Sequence, residues 1–294
     1  MTDTLLVILT SPRSFSSVVG GMLGQHPDLY GLPETNIFTA DTVQSLIAGY
    51  NMVGDQARHG LLRTLAQLHD GEQTVVSIDR AQQWLYDHSH WTTKQVCNHL
   101  HELVQPKILV EKSPRMVRRV VHLKRVHDMY PHASFLHLTR HPRSMAQSQI
   151  NITSRNKEWN GRLNANNIKP QNWWEQCQQN ILEFTSMLPE GQCMRIKGED
   201  LLSEPDVYLP QIAEWLGVRT DIEAIESMKH PENSPYACMG PENALYGNDI
   251  NFLQNPKLRS GRVKEASLVG PLEWAPDQIF TPAVIKLARQ FGYS

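Results

Sequence analysis

Leu5-Leu6-Val7-Ile8-Leu9-Thr10-Ser11-Pro12-Arg13-Ser14-Phe15-Ser16-Ser17-Val18-Val19-Gly20-Gly21-Met22-Leu23 decides the fold. The unbroken apolar run Leu5 to Leu9 is what a strand covered on both faces of a parallel sheet requires. A short polar loop follows, then an apolar helical stretch that His26-Pro27 closes. Strand, loop and helix in this order begin a βαβ unit and predict an α/β protein. The pattern returns twice. Ile108-Leu109-Val110 leads into Glu111-Lys112-Ser113-Pro114 and a basic helix to about Tyr130. Ser134-Phe135-Leu136-His137-Leu138-Thr139 runs into Arg140-His141-Pro142-Arg143 and another helix. Residues 40–105 read as a mostly helical, amphipathic insertion, with Trp84, Tyr86 and Trp91 breaking its polar run. A Trp-led helix over 172–187, a strand at Met194-Arg195-Ile196 and helices at Leu209 to Leu216 and Pro282 to Phe291 complete the elements. The stretch 231–261, rich in Pro, Asn and Gly, reads as a long loop, which in a compact domain is usually functional.

Composition narrows the class. A chain of 294 residues with 40% hydrophobic and 20% charged residues is an ordinary globule that needs no covalent staples. The length prior favours a single α/β domain over 1–294. Lys and Arg number 28 against 30 Asp and Glu, so the net charge of −2 argues against a nucleic-acid binder. No apolar run approaches the ~20 residues of a membrane helix, and MTDTLLVILTSPRS lacks the marks of a signal peptide. Cys97, Cys177, Cys193 and Cys238 lie far apart without zinc spacing, so reduced thiols, no metal site and a cytoplasmic location are expected. His88-Ser89-His90 lacks a third ligand and reads as surface.

Charge is concentrated in one place. From Glu111 to Arg143 eight cations face two anions, a net of +6 within an acidic protein. Arg118, Arg119, Lys124 and Arg125 read as a solvated helix face. Lys112 and Arg140 are different, because each directly follows an apolar strand, where α/β sheets place ligands. Two cations at two strand ends, beside a loop that opens a helix, suggest a polyanionic small ligand. In that loop, helix N–H groups and the hydroxyls of Ser14, Ser16 and Ser17 can hold an anion, and Arg13 offers a planar fork. The Gly-Lys pair of a Walker A loop is missing, which weakens a magnesium-dependent kinase or hydrolase. Taken alone, Ser-Pro-Arg-Ser-x-Ser-Ser fits a plain strand-to-helix turn equally well.

Taken together the motifs resemble those of sulfotransferases that use 3′-phosphoadenosine 5′-phosphosulfate (PAPS). Pro12-Arg13-Ser14-Phe15-Ser16-Ser17, with His26-Pro27 beyond it, is similar to that family's 5′-phosphosulfate loop, P-[RK]-S-G-[TS]-[TS]. Arg140 and Ser148, eight residues apart, resemble its 3′-phosphate element, and Lys112-Ser113-Pro114 its Lys-[TSD]-Pro strand end. Gly31-Leu32-Pro33-Glu34-Thr35 falls where bacterial-type and tyrosylprotein sulfotransferases carry a Glu-Thr pair. Gly198-Glu199-Asp200-Leu201 resembles their Tyr-Glu-Asp-Leu segment. The resemblance spans about residues 5–217. It implies a P-loop NTPase-like three-layer fold, a central parallel sheet between helices, with the insertion at 40–105 covering the acceptor. Two residues depart from the pattern: Phe15 stands for the usual loop glycine and Gly198 for a tyrosine that often meets the nucleotide.

The resemblance implies a division of labour for sulfuryl transfer, which needs in-line positioning and neutralisation of the leaving phosphate. Arg13 and Lys112 serve the leaving group; Glu34, or a histidine such as His122, takes the acceptor's proton. Arg140 and Ser148 hold the 3′-phosphate. Lys257 and Arg259, with Arg262, are either a clamp on the same phosphate or a solvated loop. His137, between Leu136 and Leu138 in a strand, reads as buried. The acceptor is expected to be a hydroxyl of a small molecule or of an acyl chain on a carrier protein, met by Trp84, Tyr86, Trp91, Tyr236 and Tyr246. The alternatives are a P-loop small-molecule kinase and a non-catalytic nucleotide-binding module.

Overall fold

The computed structural model describes residues 5–155, 169–259, 261–263 and 266–294. Met1 to Thr4, where the signal-peptide question begins, and Ser260 in the late basic loop lie outside the described residues, as do positions 264–265. In chain order the elements are β1 (Leu5–Leu9), α1 (Ser16–Leu23), β2 (Leu29–Gly31), α2 (Val43–Val53), α3 (His59–Asp70), α4 (Val75–Asp87) and α5 (Thr93–Val104). There follow β3 (Ile108–Glu111), α6 (Val120–Met129), β4 (Ser134–Thr139), α7 (Pro142–Arg155), α8 (Pro170–Thr185), β5 (Cys193–Lys197) and α9 (Gly198–Ser203). The chain closes with α10 (Pro205–Leu216), α11 (Ile222–Met228), α12 (Ile250–Gln254) and α13 (Pro282–Gln290).

The strands form a parallel sheet in the order β2-β3-β1-β4-β5. This order positions the site. β1 sits between β3 and β4, with Val7 level with Glu111 on one side and with Phe135 on the other. The loops leaving the three strands therefore emerge side by side at one edge, although about a hundred residues separate the first from the others.

Both faces of the sheet are covered. Side chains alternate along a strand, so Leu5, Val7, Leu9, Leu109 and Phe135 join one core with α2 to α6 and α8. Leu6, Ile8, Val110, Leu136 and Leu138 join the other, with α1, α10 and α11. All five residues of β1 are buried on this account, and each contributes about 1.5–3 kcal/mol of apolar burial. A smaller third core packs α13 against Met145 of α7 and Trp174 of α8. The helical reading of 40–105 corresponds to α2–α5; Thr42, Thr74 and Thr92 cap three of these helices through their side-chain oxygens.

Several details differ from the sequence reading. α1 stops at Leu23, and Gly24 caps it, before His26-Pro27. His26 is instead buried, its ring nitrogens meeting the Arg219 carbonyl and the Asp28 N–H. β2, α9 and α11 are additional elements, and the late loop holds two 3₁₀ turns and α12. Arg125 does not lie free on a solvated face: it pairs with Asp41 and donates to the Phe38 carbonyl at 2.9 Å. Among the described residues no helix is long and apolar enough to cross a membrane.

Candidate active site

The loop from β1 into α1 carries the first functional group of side chains. Arg13 and Phe15 both adopt the left-handed region, at φ 65° and 67°, so this turn costs strain that glycine would avoid. The turn leads into α1, which begins with the buried Ser16 and Ser17. Ser11 and Ser14 hydroxyls bond each other at 2.8 Å and brace it from within.

Lys112 reaches this loop from β3. Its side chain, 1% exposed, runs along α1, where a Cβ on Gly20 would stand 2.7 Å from Lys112 Cδ. Glycine at position 20 thus leaves a channel for the lysine stem. The ammonium donates to Ser17 Oγ at 3.3 Å and lies 3.7 Å from Glu34 Oε1. Burial pushes the Lys112 pKa down, while Glu34 and then Glu111 oppose that shift.

Glu34 stands just beyond β2 with its side chain 33% exposed. Its placement depends on a buried carboxylate one strand away. Glu111 accepts from Thr35 Oγ1 at 2.8 Å, from the Ser113 N–H at 2.9 Å, and from the Ser113 hydroxyl. Ser113 Oγ in turn accepts from the Asn36 N–H at 2.8 Å. The Glu34-Thr35-Asn36 turn is thereby clamped to the end of β3. Glu111 and Lys112 do point to opposite faces, and each takes different partners.

The end of β4 supplies Arg140. Its backbone is anchored on both sides: Trp174 Nε1 donates to the Arg140 carbonyl at 2.9 Å, and the His141 N–H donates to Glu199 at 2.9 Å. Tyr293 fixes Glu199 by donating to its other oxygen at 2.9 Å, and stands 3.0 Å from Thr139 Oγ1. The Arg140 guanidinium lies over the Phe15 ring, 4.2 Å from its centroid, and donates to the Arg13 carbonyl. Arg140 Nε is buried without a hydrogen-bond partner among the described residues. Burial, before any neighbouring charge, holds both Arg13 and Arg140 down to about 10, so both stay cationic at neutral pH.

Arg13 links the two sides. Its Nε donates to Ser148 Oγ on α7 at 3.2 Å, and its guanidinium pairs with Asp249. Asp249, the N-cap of α12, also donates its backbone N–H to Ser17 Oγ at 3.0 Å. Two residues earlier, the Gly247 carbonyl accepts from the Glu34 N–H at 2.6 Å. Beside Arg140 and Ser148 opens a cavity of about 590 Å³, also lined by Arg143, Gln147, Asn151 and Asn251.

The structure thus brings Arg13, Ser14, Ser16, Ser17, Glu34, Lys112, Arg140 and Ser148 to one edge of the sheet, with Pro12 and Phe15 shaping the loop between. Lys257, Arg259 and Arg262 are exposed and have no bond to Arg140 or Ser148 among the described contacts. His122 is half-buried, and burial followed by Arg125 and Arg119 pushes it down to about 4. His137 is sealed beneath the sheet end, its Nδ1 accepting from Arg195 at 3.1 Å and its Nε2 meeting Gln178 at 2.7 Å. Asp249 and Arg115 escaped the sequence reading; Arg115 lies within electrostatic reach of Glu34. The acidic N-cap before Ile250 was the signal for α12, but nothing local shows that its carboxylate meets Arg13.

A five-stranded parallel sheet flanked by helices, whose central strand runs into a loop and helix with a lysine and an arginine at the neighbouring strand ends, is the P-loop NTPase-like fold of sulfotransferases. A sequence model of the Sulfotransferase family matches residues 6–221, and the chain belongs to that family. It is a sulfotransferase, which removes the kinase alternative. Among solved structures, the sulfotransferase domain from the curacin biosynthetic pathway is 22% identical with a TM-score of 0.78, covering 99% of this chain and 98% of its own. The sulfotransferase domain from the Synechococcus PCC 7002 olefin synthase is 22% identical with a TM-score of 0.74, covering 100% and 96%. A sulfotransferase from Alicyclobacillus acidocaldarius is 14% identical with a TM-score of 0.50, covering 87% and 100%. At these identities the likeness is one of fold. No curated protein sequence matches the chain.

Proposed function

We propose that this sulfotransferase takes its sulfuryl group from PAPS and passes it to a hydroxyl of a small molecule or a carrier-bound acyl chain. The observation that carries the reading is the convergence of three anion-binding elements at adjacent strand ends: the loop 12–17, Lys112, and Arg140 with Ser148. The loop and Arg13 receive the 5′-phosphosulfate. Arg140, with a buried N–H still free, and Ser148 receive the 3′-phosphate at the mouth of the cavity.

In the transfer, the acceptor oxygen forms a bond to sulfur as the bond from sulfur to the 5′-phosphate oxygen breaks. Charge grows on that leaving oxygen, and Lys112 and Arg13 stabilise it in a largely dry site. Glu34 takes the acceptor proton from the solvent-facing side of Lys112. The lysine stands between Ser17 and Glu34, so one cation faces both the donor loop and the proposed base. The chain is read as one sulfotransferase domain, with α2–α5 and the loop after Met228 forming the acceptor side. In support, the ring of Tyr246 stacks on His59 at 5.8 Å, beside Gly247 and Glu34. Trp84 and Trp91 pack instead with His88 and His99 in a cluster of their own.

Labelled PAPS with a panel of hydroxylated small molecules and acyl carriers tests the reading. Transfer of label supports it; desulfated nucleotide that gives no thermal shift at millimolar concentration overturns it. At 100 times its dissociation constant, that nucleotide should add about 2.7 kcal/mol of stability.

A further inference from the structure

Phe15 is the least expected residue in the anion-binding loop. It holds a left-handed backbone that glycine would adopt without strain, at φ 67°. A position under such strain persists only where the surrounding structure over-determines it. The surroundings of Phe15 show how. The Arg140 guanidinium lies over the ring, 4.2 Å from its centroid. Besides the core it packs against, the ring meets Gly198, the first residue of α9, where an added Cβ would stand 2.5 Å from Phe15 Cδ2. Gly198 therefore provides the space in which the ring sits, and the two unusual residues form one unit. Arg140 donates to the Arg13 carbonyl, its Nε has no partner among the described residues, and Glu199 and Tyr293 act on it through charge without a side-chain hydrogen bond among the described contacts.

We propose that Phe15 is a positioning residue that presents Arg140 to the donor's 3′-phosphate, so that the Phe15–Gly198 pair sets discrimination for 3′-phosphorylated nucleotides. The inference rests on the PAPS reading and goes beyond it by naming how this chain enforces that specificity. An arginine stacked on an aromatic plane keeps its N–H edge free for an anion while its face is fixed. Without the ring, Arg140 must be ordered at each binding event, and affinity for the 3′-phosphate falls.

The test compares binding of 3′,5′-bisphosphoadenosine and adenosine 5′-phosphate by calorimetry. For Phe15→Gly, affinity for the bisphosphate should fall about tenfold (~1.4 kcal/mol), while adenosine 5′-phosphate changes less than about twofold. Phe15→Tyr should restore the preference. Gly198→Ala, which pushes the ring aside without touching the loop sequence, should reproduce the loss when Phe15 is present and do nothing in a Phe15→Gly background. That non-additivity is the signature of contact between the two positions. Equal losses for both nucleotides in Phe15→Gly, or an additive cycle, overturn the proposal and leave the PAPS reading standing. A wild-type protein that does not prefer the bisphosphate removes both.

Discussion

Replacing Glu34 by Gln separates chemistry from structure in this site. The change removes the proposed proton acceptor and also the carboxylate 3.7 Å from the Lys112 ammonium. Loss of a positioned base slows transfer by roughly 10²- to 10⁴-fold. The second effect is on the fold. Removing one partner of a sealed ion pair costs about 3–5 kcal/mol, but the Glu34 side chain is 33% exposed and water screens it. A loss of about 1–2 kcal/mol is the appropriate scale, which lowers Tm by about 2–3 °C for a chain of this size. The donor supplies the missing anion, so 3′,5′-bisphosphoadenosine should raise the Tm of Glu34→Gln by more than it raises that of the wild type. Scanning calorimetry with and without nucleotide measures this, and label transfer to phenols of graded acidity measures the chemistry. With a phenol that ionises unaided the defect should shrink. If turnover stays within tenfold of wild type while Tm drops, Glu34 is only the counter-ion of Lys112. If neither changes, the pair is not formed in solution.

Other consequences are as direct. Arg140→Ala should weaken 3′,5′-bisphosphoadenosine by about 10- to 100-fold, the worth of a charge-assisted hydrogen bond, and adenosine 5′-phosphate far less; equal losses would place Arg140 elsewhere. His137 is held down to about 3 by burial, against an ordinary value of 6.5. Between those limits the unfolded chain binds the extra proton, so stability falls as pH falls, by about 1.4 kcal/mol per unit. His137→Gln should make the pH dependence of Tm between 4.5 and 6.5 shallower, and an unchanged slope would refute the assignment. Asp249→Asn should bind nucleotide several-fold more tightly, because it removes the carboxylate paired with Arg13 while asparagine still caps α12. Unchanged or weaker binding would show that Asp249 does not compete for that seat.

β1, β3 and β4 were legible because a buried parallel strand leaves an uninterrupted apolar run, and the helices after them because each opens on a polar loop. β2 was not, since Leu29–Gly31 is a three-residue edge strand with no period to read. Lys112 and Arg140 could be picked out because each directly follows a strand. What they touch could not, because those partners come from the sheet order: Ser17 lies 95 residues from Lys112, and the Arg13 carbonyl 127 from Arg140. Glu111, next to Lys112 in the chain, clamps Thr35 and Ser113, which no local pattern shows. Phe15 and Gly198 looked like two separate losses from a motif. Only their contact shows that the second makes room for the first.

Asp249 gives the donor-free protein a property of its own. With its carboxylate on Arg13 and its N–H on Ser17, the cradle already holds an anion. Arrival of the nucleotide is then a trade of one counter-ion for another, not the filling of a bare positive seat. The carboxylate offsets part of the attraction for the nucleotide, so binding to the wild type should depend less steeply on salt than binding to the Asp249→Asn protein. The departing carboxylate is two residues from the Gly247 carbonyl that accepts from the Glu34 N–H. A shift of that carboxylate would be passed to the turn that carries Glu34, the proposed base, and an ordered reaction in which donor precedes acceptor is the expected outcome. Product-inhibition patterns would read that order directly: competitive inhibition by the bisphosphate against PAPS and noncompetitive inhibition against the acceptor are expected, and random-order kinetics would show that the two loops move independently.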